Sequence, residues 1–279
     1  MNFILNNQIR DFETYLINEE KSAATVSKYV HDVAQFANWV GEKSIEKSLV
    51  LAYKNKLTET MAPTSVNSIL SSLNCFFGFL GRIDLKVKNL KIQKQIFSST
   101  EKELTKSEYD QLLIAAKQKR NERLYLLMQA ICSTGIRVSE VRFITVEAIQ
   151  KGCAQINCKG KNRSVFIPAK LCKRLKEYIK EQKIKSGSIF VTKNGNTLDR
   201  SNIWSDMKKL CKTANVPEKK VFPHNLRHLF ARTFYSLQKD VVRLADILGH
   251  SSVNTTRIYT METGVIHRRQ IEKLGLLMC

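Results

Sequence analysis

The chain has 279 residues, with 46 Lys plus Arg against 25 Asp plus Glu, for a net charge of +21. That length allows two domains with separate cores, and the charge favours a polyanion, with nucleic acid ahead of an unliganded basic surface. No apolar run approaches the roughly 20 residues of a membrane span and the start shows no secretory pattern, so the expectation is a cytoplasmic protein.

The charge is uneven. Residues 1–100 hold 12 basic and 9 acidic groups, whereas the rest hold 34 and 16. Seven cysteines (Cys75, Cys132, Cys153, Cys158, Cys172, Cys211 and Cys279) form no C-x-x-C pair and have no histidine at zinc-ligand spacing. They read as reduced thiols, and no metal site is expected.

The first 90 residues read as a helical bundle. After Thr25, apolar residues recur at helical spacing from Val26 through Phe36 to Val40, and Gly41 stops the pattern. Pro63 and Thr64 open a second stripe, Val66 to Leu80, ended by Gly81. From residue 86 to 103 lysines, glutamines and Ser98-Ser99-Thr100 replace the periodic pattern. This predicts an N-terminal domain over 1–90, a linker at 91–103 and a second domain over 104–279.

Thr105 to Glu108 has the S/T-x-x-E capping pattern and starts that second domain. A helix over 121–133 should end at Gly135. Ala154–Asn157 and Ser164–Ile167, split by a Lys-Gly-Lys turn and closed by Pro168, predict a β-hairpin. Helices are predicted at 169–184, 201–214, 224–237, 241–248 and 265–278. The fold class is therefore mainly α with one small β-hairpin.

The chemistry-bearing residues cluster late. Of five histidines, three fall in His224-Asn-Leu-Arg227-His228 and Leu248-Gly-His250, and Tyr259 follows nine residues on. His224, Arg227 and His228 share one helix face at spacings of three and four. Pro223 suits a helix start, where amides and the helix dipole favour an anion. An arginine there can grip two phosphate oxygens, although an ordinary surface helix fits the same letters. Gly249 can close a helix in the left-handed conformation, holding His250 in a tight turn. Tyr259, with a phenol pKa of about 10 unaided, needs neighbouring cations to act as a nucleophile. Arg137 follows the Gly135 break, with Glu140 one turn later to orient it. Lys159 marks the hairpin tip, with Lys161 and Arg163 beside it as basic DNA contacts. A solvated basic turn is the plain alternative.

In this order the residues resemble the tyrosine recombinase (phage integrase) family, whose pattern runs Arg, Lys, His-x-x-Arg, His, Tyr. Here that falls on Arg137, Lys159, His224, Arg227, His250 and Tyr259. Thr134-Gly-Ile-Arg-Val-Ser-Glu140 is similar to the family's first arginine box, and the N-terminal bundle resembles the DNA-clamping core-binding domain of Xer-like members. The resemblance spans nearly the whole chain and is most specific in the C-terminal motifs. It implies an α+β catalytic domain and site-specific cleavage and rejoining of double-stranded DNA. Tyr259 would form a 3′-phosphotyrosyl link. Arg137 and Arg227 would hold the phosphate, Lys159 would protonate the leaving oxygen, His224 would move the nucleophile's proton and His250 would bond the phosphate. Glu140 and His228 would support them, His228 structurally. No metal, ATP or other cofactor is implied, and no G-x-x-x-x-G-K-[ST] loop occurs.

The family also implies a homotetramer on two DNA sites, with a C-terminal helix at 265–279 docking on a neighbour. One departure stands out, since Gln238-Lys239-Asp240 occupies a stretch where many members place a glycine. A type IB topoisomerase shares most of the constellation, and a DNA-binding factor with a decayed site is the non-catalytic alternative.

Overall fold

A computed structural model of the chain describes residues 6–92, 100–158, 161–192, 194–259 and 272–273. The chain divides into two units after Lys94.

The first unit contains α1 (Asn6–Asn18), α2 (Ala23–Val40), α3 (Lys47–Thr60) and α4 (Pro63–Phe79). Ser22 caps α2, with its Oγ accepting the Thr25 amide. Pro63 occupies the first turn of α4, where its missing N–H costs nothing. The apolar stripes meet in a core that includes Phe12, Phe36, Leu70, Phe76 and Phe77. Phe12 and Phe76 pack edge to face at 5.1 Å. A buried polar contact crosses this core, where Ser72 Oγ donates to Asp32 Oδ2 at 2.6 Å and Lys28 pairs with the same carboxylate.

The stretch read as losing structure from residue 86 begins as part of this unit. Two asparagines on α4 hold it. Asn74 accepts the Val87 amide at 2.9 Å and donates to the Val87 carbonyl at 2.8 Å. Asn67 does the same for Leu90, at 2.7 and 3.0 Å. A carboxamide offers a donor and an acceptor side by side and so imitates a strand partner. Val87 is thereby sealed into the core. Composition gave no sign of this attachment, because the partners lie in α4 and not in the segment itself.

The second unit opens with α5 (Lys106–Gln118), whose Thr105–Glu108 capping box is formed in both directions. It continues with α6 (Glu122–Thr134), α7 (Val146–Lys151), the antiparallel pair β1 (Cys153–Cys158) and β2 (Lys161–Phe166), and α8 (Ala169–Glu181). Then come α9 (Arg200–Lys208), α10 (Cys211–Ala214), α11 (Pro223–Gln238), α12 (Val241–Leu248) and α13 (Val253–Thr256). The single helix expected over 201–214 is broken at Lys209–Leu210. The Lys209 carbonyl is taken by Lys119 Nζ at 2.6 Å. α6, buried along most of its length, forms the axis of the main core with α5, α8 and α11.

The glycine-less turn between α11 and α12 forms nonetheless. Lys239 adopts φ 53°, the left-handed cap conformation, with its ammonium 5.2 Å from the Tyr235 ring centroid. Asp240 then caps α12 by accepting the Arg243 amide at 2.9 Å. The expected helix at 265–278 falls almost wholly outside the described residues.

Asn74→Ala should lower the stability of the first unit by about 1–3 kcal/mol, because it strands a buried amide and carbonyl. Urea denaturation measures this, and a loss below about 0.5 kcal/mol would show that water replaces the carboxamide.

Candidate active site

Two helix ends build the site. α6 terminates at Gly135 and α12 at Gly249, with φ of 66° and 63°. Both glycines also permit close approach. A Cβ on Gly135 would lie 2.5 Å from Phe230 Cδ1, and one on Gly249 would lie 2.4 Å from Arg163 Cδ. The Gly249 and His250 amides satisfy the Asp246 and Ala245 carbonyls in a Schellman-type cap. The next three carbonyls still need donors, and each receives an arginine. Arg163 donates to Ile247 O at 2.6 Å, Arg227 to Leu248 O at 2.8 Å and Arg137 to Gly249 O at 3.1 Å. Arg227 also donates to Gly135 O, at the end of α6. The negative pole of each helix thus faces cations.

Glu140, in a 3₁₀ turn over Val138–Phe143, joins two of these arginines. Its Oε1 accepts Arg137 Nη1 at 2.8 Å, while Oε2 accepts the Arg137 amide at 3.0 Å and Arg163 Nη2. Burial opposes its charge, but these donors outweigh burial and hold its carboxyl below the usual range. Three guanidiniums around one carboxylate leave two positive charges in excess. Arg227 is 1% exposed, and burial together with Arg137 lowers its pKa to about 10, which leaves it charged at neutral pH. Its Nε–H has no partner among the described residues.

His250 sits at the edge of this cluster. Its Nε2 lies 3.0 Å from Arg227 Nη2 and its Nδ1 lies 2.8 Å from Thr256 Oγ1. A guanidinium can only donate, so Nε2 accepts and Nδ1–H donates to Thr256. The ring is therefore neutral, in agreement with a pKa lowered to about 4 by burial and by Arg227, Arg137 and Arg163. His228 is likewise lowered to about 4 by burial, His224, Arg232 and Arg227. The His224 pKa is lowered by the protein packed around its ring and by Arg227, Arg200 and Arg137.

Tyr259 is 5% exposed. Its ring packs edge to face on His228 at 4.8 Å and parallel to His250 at 6.1 Å, and His228 in turn meets His224 at 4.5 Å. His228, read from the sequence as a structural support, is the imidazole lying between His224 and Tyr259.

The structure thus brings together Arg137, Glu140, Arg227, His228, His224, His250 and Tyr259. Lys159 lies outside the described residues, as does the side chain of Lys161. Arg163 differs from its expected place as a surface DNA contact. Strand alternation puts it on the same face as buried Val165, opposite Ile156, and its side chain is 13% exposed. Three contributors were missed. Thr256 accepts the His250 Nδ1–H and so holds the ring whose tautomer Arg227 sets. Arg200 and Trp204, one turn apart on α9, line a cleft of ≈ 330 Å³ with Arg137, Ser139 and His224. Their spacing of four was readable, but nothing in it pointed to this cleft. A second cleft of ≈ 790 Å³ opens on the other side of Arg137, toward Asn162, His250 and Thr255.

Residues 102–264 match the phage integrase family, and residues 9–83 match the N-terminal SAM-like domain of phage integrases. The chain belongs to the phage integrase family. Enzymes of this family, the tyrosine recombinases, cleave and rejoin DNA through a covalent tyrosine intermediate. Tyrosine recombinase XerA of Thermococcus kodakarensis is 30% identical over 98% of this chain and 96% of its own. A crystal structure of XerA recombinase is 27% identical, with a TM-score of 0.54 over 98% of this chain and 99% of that one. XerH bound to its difH substrate before cleavage shares the fold at 20% identity, with a TM-score of 0.71 over 98% and 85% of the two chains. No helix among the described residues of this integrase-family chain is long and apolar enough to cross a membrane.

The two half-buried histidines, His228 and His250, give a pH signature. Their folded pKa values of about 4 lie below the ordinary 6.5, so the unfolded chain binds more protons between those limits. Their contribution to stability is complete above pH 6.5 and is lost as pH falls toward 4. Calorimetry from pH 7 to 5 should show a falling Tm, approaching about two protons taken up on unfolding. A flat Tm over that range would contradict neutral, half-buried imidazoles.

Proposed function

We propose that this chain is a site-specific recombinase acting on double-stranded DNA, with Tyr259 as nucleophile. The supporting observation is the convergence of Arg137, Arg227, His250 and Tyr259 at the carbonyl ends of α6 and α12, in a chain of this family. The excess of two positive charges suits a phosphate whose negative charge grows as a fifth oxygen attacks. Tyr259 Oη attacks phosphorus and yields its proton to His224. The bond to the 5′-oxygen breaks, Lys159 protonates that oxygen, and a 3′-phosphotyrosyl ester forms. Attack by the 5′-hydroxyl of another strand reverses each transfer and releases Tyr259. One ester replaces another at each step, so neither a nucleotide nor a metal enters the scheme.

Residues 1–90 would clamp the duplex with the catalytic domain at 104–279, and Lys161 would add a phosphate contact. DNA-bound relatives support duplex DNA as the partner and favour recombination over simple relaxation or passive binding. We further propose a homotetramer on two sites, assembled through residues 265–279, in the cytoplasm.

Incubated with site-bearing DNA and chelator, the wild type should give an SDS-stable, protease-sensitive adduct. Tyr259→Phe should give none while binding the same DNA, and an adduct from that variant would assign the nucleophile elsewhere. Removal of residues 265–279 should abolish recombination and spare DNA binding; undiminished recombination would count against assembly through this segment.

A further inference from the structure

We propose that Arg163 is a positioning residue of the strand-cleavage reaction, which ties the β-hairpin to Arg137 and to the turn carrying His250. The assignment rests on the reading above, because it concerns the same site.

Arg163 branches from the middle of β2 and reaches two separate elements. Nη1 bonds Ile247 O in the last turn of α12, and Nη2 bonds Glu140 Oε2. Through Glu140 it acts on Arg137, since the same carboxylate binds the Arg137 amide and guanidinium. Through α12 it acts on His250, since its Cδ, Nε and Cζ lie 2.4, 2.8 and 3.3 Å from where a Gly249 Cβ would sit. Only a glycine lets the Leu248-Gly249-His250 turn rest on this side chain. Arg137 closes the loop by donating to Gly249 O. Arg163 thus touches both supports of Arg137, and although it lines one wall of the ≈ 790 Å³ cleft its side chain is only 13% exposed, with both terminal nitrogens engaged inside the protein. A planar fork can serve a carboxylate and a carbonyl in two directions, whereas a lysine ammonium at this distance cannot keep both.

A mobile or misaimed Arg137 would grip the phosphate in the wrong place, and displacement of about 1 Å costs on the order of 100-fold in rate. The experiment uses the full chain and a suicide DNA substrate, and measures single-turnover adduct formation for wild type, Arg163→Met, Arg163→Lys, Arg137→Ala and the Arg163→Met/Arg137→Ala double variant. Arg163→Met should react about 100-fold more slowly. Arg163→Lys, which keeps a charge beside Glu140 if the methionine variant folds poorly, should keep less than a tenth of the wild-type rate. The double variant should be no slower than Arg137→Ala alone, because residues acting through one another are not additive. The salt dependence of DNA affinity should be unchanged, whereas loss of a phosphate contact would reduce its log–log slope by about 0.9. Wild-type rates in both Arg163 variants, additive losses or a reduced slope would each overturn the assignment. Failure of the wild type itself would instead remove the recombinase reading, and the role of Arg163 with it.

Discussion

Three guanidiniums share the carbonyl ends of two helices, and the rest of the second unit is arranged around that contact. Isolated guanidiniums at this depth would each cost several kcal/mol in lost hydration. Here each has fixed acceptors, namely Gly135 O, Ile247 O, Leu248 O and Gly249 O, with Glu140 as the only paired carboxylate among the described residues. The acceptors exist because α6 and α12 end where they do. Both ends depend on glycines, which turn the chain and leave room for Phe230 and Arg163.

The same charges set the state of the imidazoles. Cations near His224 and His250 disfavour their protonation, so the groups proposed to bind phosphate also keep both rings neutral, which suits His224 to accept a proton. Binding a phosphate would offset part of that field. The proton-accepting and anion-holding halves of the site are therefore coupled electrostatically and cannot be tuned separately. Arg227 and Thr256 add a geometric constraint, because between them they occupy both His250 nitrogens.

Much of this was legible in the sequence. Arg137, His224, Arg227, His250 and Tyr259 occur in a recognisable order, and histidine is a residue type with only five representatives in the chain. The apolar stripes of α2 and α4 announced themselves by period. What escaped reading lacked a local signal. Arg163 sits beside Val165-Phe166-Ile167, whose unbroken apolar run hid the strand alternation, and Phe166 in fact points outward. The clamp on Val87 and Leu90 depends on asparagines more than ten residues away. Lys239 takes a conformation usually left to glycine because Tyr235 and the Asp240 cap surround it with favourable contacts.

The carbonyls that hold the arginines have a different standing from side chains. They carry no exchangeable proton, so the field they impose does not change with acidity. Nor are they encoded by any particular residue at positions 247 or 248. Replacing Ile247 or Leu248 by another helix-compatible side chain leaves its carbonyl in place. A one-residue insertion within α12 would instead rotate the helix end by about 100° and point the same oxygens away. The counter-charges of this site are thus insulated from substitution and vulnerable to changes in length, so drift among descendants of this chain should alter the letters of α12 far more readily than its register.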